Sequence, residues 1–191
     1  MARWVGIALV VITGIVAGGV VAPADGGPPA VGASLPEIIL KAPKSAEARA
    51  YLGLKGEGEF KLSDIAAEVV VIEIFSMYCP YCQKDAPTLN AMFRKIEADP
   101  ALKGKVKLIG IGAGNSAFEV DYFKTHYEVP FPLFPDGDFK IHKALGEVRT
   151  PYFITVRLAP NAAPRVTYSK LGGAPNADEL LSRLLQGSGL K

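Results

Sequence analysis

Residues 68–75, EVVVIEIF, are apolar at both parities and rich in β-branched side chains, the pattern of a central strand covered on both faces. From Pro80 the period changes. Ala86, Leu89, Phe93 and Ile96 recur every three or four positions, one face of a helix that Asp99 and Pro100 end. The alternation then repeats: KVKLIGIGA (105–113) reads as a second buried strand, and SAFE, beginning at Ser116, as a capping box opening a helix with Phe118 and Tyr122 on one face. FPLFPD (131–136) predicts a short extended piece and FKIHKAL (139–145) a short helix. YFITVRL (152–158) and RVTYSKL (165–171) stand close enough to form a hairpin. NADELLSRLLQG closes the pattern with a helix capped by Asn176 and Glu179, with Leu180, Leu181, Leu184 and Leu185 toward the core and Gly187 as its stop. Strands alternating with helices over this length imply an α/β sandwich on a mixed sheet, parallel through the crossovers and antiparallel at the last hairpin.

The first 24 residues stand outside that pattern. Trp4 to Ala22 is an uncharged apolar run behind a short positive start, read either as a signal peptide cut before Asp25 or as an uncleaved membrane anchor. Arg3 favours an N-terminus left in the cytoplasm with the rest translocated, hence a periplasmic or other extracytoplasmic domain, tethered to the cytoplasmic membrane by residues 4–22 if the run is retained. Residues 25–34 are rich in Pro and Gly and read as a linker, 35–187 as one domain and 188–191 as a tail. With 21 basic and 19 acidic residues and no basic run, a net charge of +2 gives no footprint for nucleic acid.

The chain has two cysteines, Cys79 and Cys82, three positions apart at the junction of the first strand and the first helix. A disulfide closing so short a loop removes little entropy from the unfolded chain, so redox work or metal binding explains the pair better than stapling. Cys79 stands where an N-cap would, with Pro80 at the first helical position. Unpaired amides there stabilise a thiolate and make it the nucleophile, while Cys82, further in, becomes the resolving thiol. Zinc would need His126 and His142 as further ligands, and neither has zinc-site spacing, so no metal is expected. Glu73, inside the apolar strand, is desolvated and able to exchange the proton of Cys82. Asp85, one turn past Cys82, is either a second proton relay or a solvated carboxylate favoured by the helix dipole. Pro151 begins a strand, where its missing N–H is tolerated.

EIFSMYCPYCQKDAPTL resembles the thioredoxin active site: an acid six residues before the first Cys, aromatics around it, CxxC, and Pro87 five residues after the second Cys. By the same likeness Thr150-Pro151 matches the cis-proline loop that lies against the CxxC, and the likeness covers about residues 35–185. The gap from Cys82 to Pro151 fits the TlpA/ResA-like, redoxin-type branch, and LPEIIL and GEFKLSDI resemble its opening strands. The resemblance implies a thioredoxin-like three-layer sandwich with an extra strand-helix insertion between the CxxC helix and the cis-proline. It also implies a protein-disulfide oxidoreductase, here a reductase, with Cys79, Cys82, Glu73 and Asp85 catalytic and Thr150, Pro151, Tyr78, Pro80 and Tyr81 around the substrate. Beyond the Cys79–Cys82 redox pair no cofactor is implied. Protein thiols and disulfides are the expected partners, with a membrane thiol carrier as electron donor. Two departures stand out: Asp85 replaces the Glu of ResA-like members, and Glu73 replaces an amide common in that branch but matches DsbA-type oxidants. A DsbA-like oxidase is therefore the first alternative. A thiol peroxidase is the second, although Ser76 stands where its motif needs Thr. A copper-delivery module of the Sco kind, which uses CxxxC, fits less well.

Overall fold

The computed structural model describes Met1 and residues 26–190. The apolar run at 4–22, read above as a signal or anchor, lies outside the described residues, among which no helix is long and apolar enough to cross a membrane.

The described chain opens with a two-stranded antiparallel ribbon, β1 (Ile39–Lys41) and β2 (Glu59–Lys61), with helix α1 (Ala46–Leu52) between them. The hydrophobic pattern gives no sign of α1, because Leu52 is its one buried residue. Its ends are nevertheless written in the sequence, with Ser45 capping the first turn and Gly53 in the left-handed region closing the last.

The first predicted strand is β3 (Val69–Phe75), every residue buried, followed by α2 (Pro80–Ala98). β4 (Val106–Ala113), α3 (Ala117–His126), β5 (Leu133–Asp136) and α4 (Lys140–Ala144) come next. β6 (Tyr152–Arg157), β7 (Arg165–Leu171) and α5 (Ala177–Leu185) complete the fold. The main sheet has the order β5-β4-β3-β6-β7, with β3, β4 and β5 parallel and the β6 and β7 pairings antiparallel. It is the mixed sheet the alternation implies, and two strand-helix pairs, β4 with α3 and β5 with α4, lie between α2 and Pro151.

The two faces of β3 feed two cores. Val70, Ile72 and Ile74 join the side carrying the ribbon, Leu52, Leu145 and Tyr152. Val69, Val71 and Phe75 join Cys82, Leu89, Phe153, Leu180 and Leu184 beneath α2 and α5. The capping box of α3 forms as expected, with the Ser116 hydroxyl accepting from the Glu119 amide. The face of α3 turned inward is Val120 and Phe123, however, while Phe118 and Tyr122 are exposed.

The Pro/Gly-rich segment is seated on the domain along residues 27–35. Gly32 N–H donates to Val166 O at 2.8 Å and Leu35 N–H to Pro164 O at 2.8 Å, extending the edge of β7, and Pro29 is buried. Near its start the backbone of Gly27 and Pro28 lies on Gly146, where an added Cβ would fall 2.2 Å from the Gly27 carbonyl oxygen. Gly146 also has φ +81°, so that position requires glycine twice over. At the other end the buried Ser188 gives its carbonyl to the Arg157 guanidinium.

Candidate active site

β3 ends at Phe75, and residues 76–79 turn the chain into α2. Three contacts fix that turn. The Cys79 amide donates to Ser76 O at 3.0 Å, the Met77 amide to Asn115 Oδ1 at 2.8 Å, and Gln83 Nε2 to Met77 O at 2.7 Å. Asn115 comes from the turn after β4 and is fully buried, so the loop that delivers Cys79 is held from the neighbouring strand. Neither Asn115 nor Gln83 stands out in the sequence, because each acts on a backbone atom distant along the chain or hidden by the turn.

Cys79 is the N-cap of α2, with Pro80 next, as its position in the sequence predicts. Its sulfur accepts from the Cys82 amide at 3.4 Å, and its thiol donates to the Thr150 carbonyl at 3.4 Å. Partial burial pushes the Cys79 thiol up. Hydrogen bonding from the Thr150 side chain, from Cys82 and from the amides of Cys82 and Tyr81 more than offsets this, and the net shift is downward. The Thr150–Pro151 peptide bond is cis. Pro80 and the rings of Tyr78 and Tyr81 stand in solvent around the sulfur, with the Tyr78 hydroxyl donating to Glu119.

Cys82 is wholly buried. Its thiol is driven far above the ordinary range, first by burial and then by the charge of Glu73. Glu73 is only 3% exposed, on the same face of β3 as Val71 and Phe75, and its carboxyl is pushed up to about 8 by burial, with the charges of Asp85 and Cys79 adding to the effect. Asp85 is half-buried and its carboxyl is raised, by burial against the opposing pull of Lys84. The Asp85 carboxylate lies on Gly173, in the turn after β7, where a Cβ would sit 2.4 Å from Oδ2. Gly173 belongs to the site and sequence reasoning missed it. The structure thus brings Cys79, Cys82, Glu73, Asp85, Thr150 and Pro151 together. Neither histidine joins that cluster: His126 stacks on Tyr122, and His142, on the wall of the neighbouring groove, bonds Val148 O at 2.8 Å. Among the described residues no group of three or more His, Cys, Asp or Glu is arranged to hold a metal ion.

A mixed sheet with two free cysteines at a strand-to-helix corner, facing a cis-proline, defines a thioredoxin-superfamily protein of the redoxin type. The chain belongs to the AhpC/TSA family, whose sequence profile matches residues 31–165. Among curated proteins it is similar to the thiol-disulfide oxidoreductase ResA of Bacillus thuringiensis subsp. konkukian (strain 97-27), 26% identical over 93 residues, which are 49% of this chain and 51% of that protein. It therefore spans about half the length of the curated relatives it matches. Among solved structures it resembles a protein described as the thiol:disulfide interchange protein DsbE of Chlorobium tepidum, with TM-score 0.62, 17% identity, and coverage of 84% of this chain and 99% of that one. It also resembles a secreted Mycobacterium tuberculosis disulfide oxidoreductase homologous to E. coli DsbE, with TM-score 0.51, 21% identity, and coverage of 67% and 88%. These structural likenesses carry the fold.

Proposed function

We propose that the protein is a thiol:disulfide oxidoreductase that reduces disulfides of client proteins outside the cytoplasm. One observation carries the reading: an accessible N-cap sulfur with a lowered pKa stands beside a buried sulfur backed by a buried carboxyl.

The Cys79 thiolate attacks a client disulfide, forming a Cys79–client bond and expelling the other client sulfur as a thiolate that takes a proton. Cys82 then gives its proton to Glu73 and attacks the Cys79 sulfur. The client's second thiol leaves and a Cys79–Cys82 disulfide remains, so two electrons have passed to the client. A dithiol donor, by the family resemblance a membrane thiol carrier, must return them, and no organic cofactor enters. The electrostatics assist the second step. The Cys79 charge is one of the causes that raise Glu73, and it vanishes in the mixed disulfide, so Glu73 ionises more readily when a base is needed. Asp85 faces the same buried space and adjusts that ionisation, while Thr150, Pro151, Tyr78, Pro80 and Tyr81 frame the client chain as it lies extended across the thiols.

The ResA likeness and the export-like apolar run at 4–22 support the direction and the location. The thiolate-stabilising contacts at Cys79 favour the reduced protein, and with Glu73 they support an oxidase as the second reading. Equilibration of the protein with glutathione buffers separates the two. A potential near about −270 mV upholds the reductase, and one near about −120 mV assigns the oxidase. Loss of insulin-disulfide reduction in Cys79→Ser is expected; retention would overturn the exchange chemistry altogether.

A further inference from the structure

Next to Cys79 opens a groove of about 460 Å³ lined by Tyr78, Gly114, Phe139, His142, Arg149 and Thr150. Its outer wall is α4 and the turn before it. Phe139 adopts φ 59°, in the left-handed region that a bulky side chain seldom enters, and its ring presses on bare backbone: a Cβ at Gly114 would fall 2.2 Å from the ring. His142 packs against the Phe139 ring at 5.7 Å, and its Nε2 lies 2.8 Å from Val148 O, tying α4 to the loop that carries Arg149. Glu147 in that loop also has positive φ, 50°. Strain concentrated at one rim, beside a reactive sulfur, marks a surface shaped for contact.

The charges of this rim are unequally engaged. Lys140 pairs with Asp138 at 3.0 Å, and Glu119 accepts from the Tyr78 hydroxyl. Arg149 is exposed and, among the described residues, forms no ion pair. It is adjacent to Thr150, whose carbonyl is 3.4 Å from the Cys79 sulfur. Successive Cα atoms are about 3.8 Å apart, so Arg149 meets whatever lies two or three residues from a client's reactive cysteine.

We propose that this groove selects clients: it takes the segment flanking the target cysteine, with a carboxylate on Arg149 and an apolar side chain between Tyr78 and Phe139. The inference rests on the exchange function above and names its substrate class, protein disulfides with an acidic flank. A guanidinium suits that role because it accepts a carboxylate in two parallel hydrogen bonds.

The test uses cysteine peptides activated as 2-pyridyl disulfides, identical except for Glu, Gln or Lys two residues before the cysteine. In a single turnover Cys79 attacks the peptide sulfur and 2-thiopyridone leaves with the bonding electrons and a proton, which gives the rate directly. The Glu peptide is expected to react about fivefold faster than the Lys peptide at low salt, with Gln between them and the difference shrinking as salt screens the pair. Arg149→Gln should erase the ratio and Arg149→Glu should invert it. Phe139→Asn, which tolerates left-handed backbone, should abolish any preference for a neighbouring Leu over Ser. Equal Glu and Lys rates in the wild-type protein, or an unchanged ratio in Arg149→Glu, would overturn the proposal. Reduction of 2-hydroxyethyl disulfide by the wild-type protein reads the exchange function by itself: if that reaction runs while the peptide ratio is unity, only the client preference has failed.

Discussion

Glu73 lies beneath α2 and Cys82 on the inner face of that helix, neither more than 3% exposed, whereas Cys79 stands three residues away beside Tyr78 and Thr150, which line an open groove with Phe139 and Arg149. The ionisation of the two sulfurs is driven in opposite directions. The comparison teaches that a symmetric motif acquires two opposite ionisation tendencies from its surroundings alone. On the groove side, hydrogen bonding from Thr150, from Cys82 and from the helix-end amides together outweighs partial burial and favours charge. On the buried side no such donors suffice, and the charges of Glu73 and Cys79 both oppose ionisation.

Substitutions can break that asymmetry in graded ways. Cys82→Ser removes the buried sulfur: turnover should stop after one event and the Cys79–client disulfide should accumulate, read by mass spectrometry of the trapped complex. Glu73→Gln keeps the shape and removes the base, and resolution of the mixed disulfide should slow by about a hundredfold. The same variant should fold more stably. A carboxyl held at about 8 in the folded state, against its ordinary 4.5, binds its proton more tightly folded than unfolded, so stability falls as pH rises from about 4.5 to about 8. Gln is free of that loss, and denaturant unfolding near pH 7 should show Glu73→Gln ahead by roughly 3 kcal/mol, with the gap closing below about pH 4.5. Asp85→Asn removes one of the charges that raise Glu73, so the pH midpoint of resolution should move downward, with Cys79 alkylation little changed. On the exposed side Tyr78→Phe deletes a solvent-exposed hydrogen bond and should leave the same unfolding curve unchanged. An effect there comparable with that of Glu73→Gln would mean the wet and dry sides are not distinct.

The dry side was the more legible in sequence. A single Glu in an otherwise apolar strand, a Pro after a Cys, and a 3.6-residue period beyond them specify β3, α2 and the buried carboxyl before any coordinates. Local signals of that kind act within one or two elements. In α3 the apolar spacing points to Phe118 with Tyr122 as the inner face, whereas the packing of Phe123 on Phe75 turns it and Val120 inward instead. The wet side depends on distant approaches. Asn115 holding Met77, Phe139 on Gly114 and Gly173 under Asp85 each join segments far apart in the chain, through backbone atoms that carry no residue-type signature. The docking of residues 27–35 on β7 is of the same kind: Pro and Gly announce a loop without saying where it lies.

That docked stretch couples two parts of the domain. Gly27 and Pro28 press on Gly146, three residues from Arg149, so the start of the docked segment and the lip of the groove beside Thr150 are the same patch of backbone. Whatever displaces residues 27 and 28 therefore bears on the loop that leads into the cis-proline as well as on the sheet edge.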